Sequence, residues 1–187
     1  GAGYVGCVTA ACLATLGHRV WLVEIAPEKL KALRAGRSPV AEPGLDEELG
    51  RAVRSGQIVP TGSAEDAVAR SEIGLVCVGT PSQTSGAADT TDVRRILREL
   101  AAVVRSRSGS YVIVLRSTLP SPVIQDELLP ELRQALADRF ERDVVFALNP
   151  EFLREGSALE DFYRPPFVVV GTNSDPAAQY LRELYRK

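Results

Sequence analysis

The sequence predicts an α/β protein built on a doubly wound parallel sheet. Three observations predict it. Short apolar runs alternate with helical patterns along the whole chain, the chain opens on a glycine-rich turn, and the clearest apolar run is Ile73–Gly79 (IGLVCVG). Strands and helices that alternate through short connections pack as a parallel sheet with helices on both faces. A continuous apolar strand suits the interior of that sheet, which is buried on both sides.

The elements follow in order. Gly1-Ala2-Gly3-Tyr4-Val5-Gly6 is a G-x-G-x-x-G turn, and residues 4–16 are small and apolar, suited to a helix packed tightly on a sheet and stopped by Gly17. Arg19–Ile25 (RVWLVEI) reads as a strand, and Pro27 opens a charged helix ending near Gly36. Ser38-Pro39-Val40-Ala41-Glu42-Pro43-Gly44 must be loop, and Leu45–Arg54 reads as helix. A short strand near Ile58 precedes a helix that Ser63 and Asp66 cap and that runs to about Arg70. After Ile73–Gly79 come a glycine- and serine-rich loop, a helix over 92–105 and a strand at Tyr111–Arg116 (YVIVLR). A helix over 122–138 and a strand at Val144–Leu148 follow. Ser157 to Glu160 reads as another capping box, Phe167–Gly171 as a further strand, and a last helix begins near Pro176. The strand leading into the first glycine is central in such a sheet. It is missing from residues 1–187, so about six to ten residues are expected ahead of Gly1.

The opening turn names a ligand class. Its glycines let backbone approach a pyrophosphate at a helix N-terminus, and Glu24, ending the next strand, stands where a ribose 2′-hydroxyl would lie. The helix, strand and acid after the turn distinguish it from an ordinary tight bend and make the sheet Rossmann-like. The Glu24 carboxylate accepts hydrogen bonds from a ribose diol and repels a 2′-phosphate, so NAD is favoured over NADP. Ligands of these sheets bind outside the carboxyl ends of the strands. That rule selects the loops 1–6, 24–29, 79–91, 116–120 and 149–156.

Composition narrows the partners. Apolar residues make 45 % of the chain, charged residues 25 %, and the net charge is −2. No basic face is available for nucleic acid, and no apolar run has the length of a membrane span. The chain has no methionine and reads as a segment of a longer polypeptide. Cys7, Cys12 and Cys77 show no metal-ligand spacing and read as buried thiols of a reducing, cytoplasmic setting. No metal site is expected. His18 reads as a solvated residue at a helix end.

Gly79-Thr80-Pro81 and Arg116-Ser117-Thr118 sit at the crevice, where each is either an ordinary turn or a ligand contact. In Asn149-Pro150-Glu151-Phe152-Leu153-Arg154-Glu155, Asn149 caps, Pro150 suits a first helical position and Glu151 suits the helix dipole. Glu155 has no such local reason. If the segment is helical, the two acids share a face and could do acid/base work.

With these pieces placed, the chain resembles the NAD-binding N-terminal domain of the UDP-glucose/GDP-mannose 6-dehydrogenase family. GAGYVG, SPVAEPGL, VCVGTPS, RSTLP and NPEFLREGSALEDF carry the resemblance in order over essentially all 187 residues. It implies a four-electron oxidation of the C6 alcohol of a nucleotide sugar to the uronic acid, using two NAD and passing through an enzyme-bound thioester. It implies that Tyr4, Val5, Glu24, Lys29, Thr80 and Thr118 line the dinucleotide beside Gly1, Gly3, Gly6 and Gly79. Thr118 also holds a catalytic water, the segment from Glu151 through Phe152 and Leu153 to Glu155 contributes to the sugar site, and Glu155 is the acid/base for thioester hydrolysis. The family's nucleophilic cysteine belongs to a later segment, as do its central helix and C-terminal domain. Residues 1–187 are therefore expected to form one NAD-binding domain without turnover, from a homo-oligomeric parent. Ala41, Arg116 and Pro165-Pro166 resemble the GDP-mannose branch and REGSALEDF the UDP-glucose branch, with GDP-mannose favoured. β-Hydroxyacid dehydrogenases and a non-catalytic NAD-binding module share the fingerprint and stand as rival readings.

Overall fold

The structure, a computed structural model, describes residues 1–84 and 86–186. Ser85, in the expected loop after Ile73–Gly79, and Lys187 lie outside the described residues. In chain order the elements are α1 (Tyr4–Thr15), β1 (Val20–Val23), α2 (Pro27–Arg34), α3 (Leu45–Arg54) and β2 (Ile58–Thr61). Then come α4 (Ala64–Ala69), β3 (Ile73–Val76), α5 (Thr91–Ser106), β4 (Tyr111–Leu115), α6 (Leu129–Leu136), β5 (Val144–Leu148), α7 (Ala158–Tyr163) and α8 (Asp175–Leu184). Every named strand pairs in parallel, β1 with β2 and β3–β4–β5 as a second group.

Both faces of the larger sheet are covered, which is the doubly wound arrangement. All five residues of β4 are buried, and its alternation divides them between two cores. Tyr111, Ile113 and Leu115 pack with Val93, Leu97 and Ala101 of α5 and Leu132 of α6. Val112 and Val114 point the other way, onto Ala177 and Leu181 of α8. Helix α1 is apolar all round because it is buried all round, every residue from Gly6 to Ala14 included. It packs on Leu22 of β1, Ile58 of β2, Leu45 and Leu49 of α3 and, more loosely, Leu75 of β3, so one helix underlies both strand groups. Burying Val, Leu and Ile side chains in this way stabilises by about 1.5–3 kcal/mol each.

Three expectations are corrected. The helix over 122–138 is not uniform. Val123–Leu128 is wound as a π-helix, α6 follows, and Ala137–Arg139 closes as a 3-10 turn. Pro130 explains the change, because it donates no N–H and its ring crowds the carbonyl four residues back, widening the preceding turn. Phe167–Gly171 is not a strand of the parallel sheet. Gly171 alone bridges Leu148, antiparallel, through two hydrogen bonds of 2.7 and 2.9 Å. Pro165 and Pro166 offer no ladder donors, the Asn149 side-chain amide takes the Val169 carbonyl at 2.8 Å, and Phe167, Val168 and Val169 stay exposed. Finally, His18 is not simply solvated, since its Nε2 lies 2.8 Å from the Leu184 carbonyl and ties the end of α1 to the end of α8.

Candidate active site

The N-terminus of α1 is open. Its first internal hydrogen bond runs from Cys7 N–H to the Gly3 carbonyl at 2.9 Å, so the N–H groups of Tyr4, Val5 and Gly6 have no helical acceptor. No side chain caps this end and no acid lies in its first turn. The glycines divide the work. A Cβ on Gly6 would sit 1.9 Å from the Gly1 carbonyl oxygen, and one on Gly1 would sit 2.9 Å from the Cys77 carbonyl oxygen, so both permit the turn itself. A Cβ on Gly3 would meet nothing within 4 Å, and its backbone (φ −78°, ψ −165°) suits any residue. Folding does not need Gly3 to be bare. The free space, three unpaired amides and the positive helix end together fit a pyrophosphate.

Glu24 directly follows β1 as a buried carboxylate, 9 % exposed. Its Oε1 accepts the Ala26 N–H at 2.8 Å and its own N–H donates to the Thr61 carbonyl at 3.0 Å. One oxygen is thereby fixed in place, and the carboxylate keeps a second oxygen able to accept a hydrogen bond. Lys29 is exposed in the first turn of α2. The three thiols are free. Burial foremost, and then the Glu24 charge, push Cys7 up to about 12. Burial also pushes Cys12 up to about 12 and raises Cys77, which lies one residue past β3. In all three the shift favours the protonated thiol over the nucleophilic thiolate.

The loops after β3 and β4 are clamped to each other. Ser117 Oγ donates to the Val78 carbonyl at 2.6 Å and accepts the Val78 N–H at 3.3 Å. Thr80 Oγ1 donates to the Thr118 carbonyl at 3.1 Å. Gly79 and Thr118 remain exposed beside this clamp.

The segment after β5 departs from expectation. Residues 150–154 are not helical, so Glu151 and Glu155 do not share a helix face. Glu151 folds back, its Oε2 accepting the Leu153 N–H at 2.7 Å, and Arg154 turns aside to pair with Asp161 at 2.6 Å. These local bonds replace the helical ones. The capping box at Ser157 does not form either. Its hydroxyl lies 3.3 Å from Asp161, while Glu42 from the loop before α3 accepts the Ala158 N–H at 2.8 Å. Asn149 is buried at the root of the segment, its Oδ1 receiving Arg116 Nη1 at 2.6 Å and the Tyr185 hydroxyl at 2.5 Å. Phe152 stacks edge-on against Phe167, centroids 5.1 Å apart. With Arg116, Glu151, Leu153 and Pro166 they line a cleft of about 190 Å³. Sequence reasoning missed Glu42 and Phe167. Glu42 had no local signal, because its partner Gly156 is 114 residues away.

Among the described residues no three His, Cys, Asp or Glu side chains gather as a metal site. No described helix is long and apolar enough to cross a membrane. The family described as "UDP-glucose/GDP-mannose dehydrogenase family, NAD binding domain" matches residues 1–187. The chain belongs to that family. NAD is accordingly its cofactor, in agreement with the open α1 terminus and Glu24.

Among its relatives is the GDP-mannose 6-dehydrogenase of Pseudomonas syringae pv. syringae, 34 % identical over 100 % of this chain and 43 % of the relative. The UDP-glucose 6-dehydrogenase of Pseudomonas aeruginosa is 40 % identical over 99 % of this chain and 40 % of the relative. A crystal structure of a ternary complex of GDP-mannose dehydrogenase from Pseudomonas aeruginosa superposes with a TM-score of 0.95 at 33 % identity, covering 100 % of this chain and 43 % of that one. The UDP-glucose dehydrogenase of Pyrobaculum islandicum gives 0.90 at 40 % identity, over 99 % and 42 %. The chain thus spans about two fifths of the length of these relatives.

NAD affinity should report Glu24 directly. A charge-assisted hydrogen bond contributes about 1.5–3 kcal/mol, so Glu24→Ala is expected to weaken NAD binding about ten- to hundredfold. Calorimetric titration of the full-length protein checks this, and an unchanged dissociation constant removes Glu24 from the site.

Proposed function

We propose that the protein carrying this chain oxidises the C6 alcohol of a nucleotide sugar to the uronic acid. The reading is a four-electron, two-NAD reaction, with GDP-mannose ahead of UDP-glucose as substrate. The observation that carries it is the open α1 terminus near Glu24, with Gly156, the residue directly after the segment Glu151–Glu155, hydrogen-bonded through Glu42 to Tyr4 of that same helix end. The names of the relatives support the substrate class, and the higher structural similarity to GDP-mannose dehydrogenase supports the order.

Bound NAD supplies a hydride acceptor. The chain's own residues do the rest of what this domain contributes. The Tyr4–Gly6 amides and Glu24 hold the dinucleotide, with Gly1, Val5, Lys29, Gly79, Thr80 and Thr118 lining it. Phe152 and Leu153 present an apolar wall to the sugar. Glu155 takes a proton from the water that hydrolyses a thioester, Thr118 orients that water, and Glu151 shapes the segment by holding the Leu153 N–H. The nucleophilic thiol is assigned to a later segment of the parent, as the family resemblance implies, and burial pushes the Cys7, Cys12 and Cys77 thiols toward the protonated form. The domain alone therefore binds NAD without turnover, and the parent is a homo-oligomer of the cytoplasm.

Steady-state assay of the full-length protein with NAD and a panel of GDP- and UDP-hexoses tests the reading. Two NADH per uronic acid formed is the expected result. NADH formed only from a β-hydroxyacid, or from none of these, contradicts it.

A further inference from the structure

Glu42 belongs to a loop that carries no catalytic signal, yet its carboxylate accepts three hydrogen bonds from two distant parts of the chain. Its Oε2 accepts the Tyr4 hydroxyl at 2.5 Å and the Gly156 N–H at 2.8 Å. Its Oε1 accepts the Ala158 N–H at 2.8 Å. The Tyr4 hydroxyl also lies 3.5 Å from the Arg154 carbonyl. Three chain segments therefore meet on one side chain: the glycine-rich turn, the loop before α3, and the turn that directly follows Glu155. Partial burial would raise the Glu42 carboxyl, but the hydrogen bonds from Tyr4, Gly156 and Ala158 outweigh it and hold the group below its usual range. Burial and then the Glu42 hydrogen bond push the Tyr4 hydroxyl up to about 12. The pair is a carboxylate bound to a phenol that keeps its proton.

The geometry points to Glu42 as a positioning residue that sets Glu155 in register with the dinucleotide turn. The inference rests on the proposed acid/base role of Glu155. Glu155 makes no anchor of its own to the sheet, and the residues before it form no helix. Its place is set by its two neighbours, Arg154 held by Asp161 and Gly156 held by Glu42, and of these two carboxylates Glu42 is the one that also takes the Tyr4 hydroxyl. Tyr4 stands in the first turn of the helix whose amides face the pyrophosphate, so the same carboxylate fixes the acid relative to the bound cofactor. A shift of about 1 Å in a reacting group is enough to slow chemistry about a hundredfold. Both oxygens of Glu42 accept from N–H groups, so a glutamine of the same shape must aim an NH2 at one of them.

The test uses Glu42→Gln and Tyr4→Phe in the full-length protein, with two readouts. Hydrogen exchange without substrate reads the anchor. Exchange at Gly156 and Ala158 is expected to quicken at least about tenfold in Glu42→Gln, the scale of one lost charge-assisted hydrogen bond. Kinetics read the consequence. The kcat with a nucleotide sugar is expected to fall about ten- to hundredfold while KM for NAD moves less than about threefold, with Tyr4→Phe intermediate in kcat. Unchanged exchange at both amides overturns the inference. Quickened exchange with unchanged kcat also overturns it, since Glu42 would then be a structural cap only. If the wild-type protein turns over no nucleotide sugar, the functional reading fails while exchange still decides whether Glu42 is the anchor.

Discussion

Gly3→Val abolishes measurable NAD binding in a protein that melts like the wild type. This is the sharpest expected result, because folding and ligand binding make opposite demands at this position. The Gly3 backbone is extended and a Cβ there touches nothing within 4 Å. A valine therefore costs the fold little, within the ±0.5 kcal/mol typical of surface changes. Its methyls would occupy the space in front of the Tyr4, Val5 and Gly6 amides, where a pyrophosphate must approach. The dissociation constant is expected to rise at least about a hundredfold, equivalent to roughly 2.7 kcal/mol. Gly6→Ala provides the contrast. Its Cβ would lie 1.9 Å from the Gly1 carbonyl oxygen, so the turn itself must move, at a cost of about 1–3 kcal/mol or more. Thermal melting and NAD titration of both variants separate the roles, and equal loss of stability in the two contradicts this division.

Glu155→Gln in the full-length protein lowers the rate of the hydrolytic half-reaction about 10²–10⁴-fold, the usual contribution of a positioned acid/base. Glu155 is exposed at the turn preceding Gly156, so the substitution leaves stability unchanged. A thioester should then accumulate, visible as covalent mass on the protein after one addition of substrate. Glu151→Gln is expected to be milder, since its visible work is accepting the Leu153 N–H at 2.7 Å, which an amide oxygen can also do. Hydrolysis slowed less than about threefold in Glu155→Gln removes that residue from the chemistry.

The parts of the fold legible in the sequence are those set by local rules. Helix α1 follows from a run of small apolar residues between two glycines, and β4 follows from a five-residue apolar run buried on both faces. Ser63 caps α4 through a 3.0 Å bond from Asp66 N–H, as its spacing indicates. Reading failed where a distant partner took over a local group. Ser157 has the spacing of a cap, but its hydroxyl turns to Asp161, and the N–H of Ala158 at the start of the helix is taken by Glu42 from 116 residues away. Phe167–Gly171 has the apolar run of a strand, but Asn149 claims the Val169 carbonyl and two prolines precede it. Pro130 was visible in the sequence, and its effect on the preceding turn follows from proline chemistry once the helix is seen to continue through it. At the site, the turn and Glu24 were legible because their motif is contiguous. The Arg116–Asn149–Tyr185 cluster was not, because its members follow three different elements far apart in sequence.

A crystal of the domain grown with NAD tests the central claim most directly. The expected density places pyrophosphate oxygens within about 3.2 Å of the Tyr4, Val5 or Gly6 amide nitrogens, with the adenosine ribose diol on the second oxygen of Glu24. Dinucleotide bound elsewhere, with that helix end left to solvent, contradicts the account.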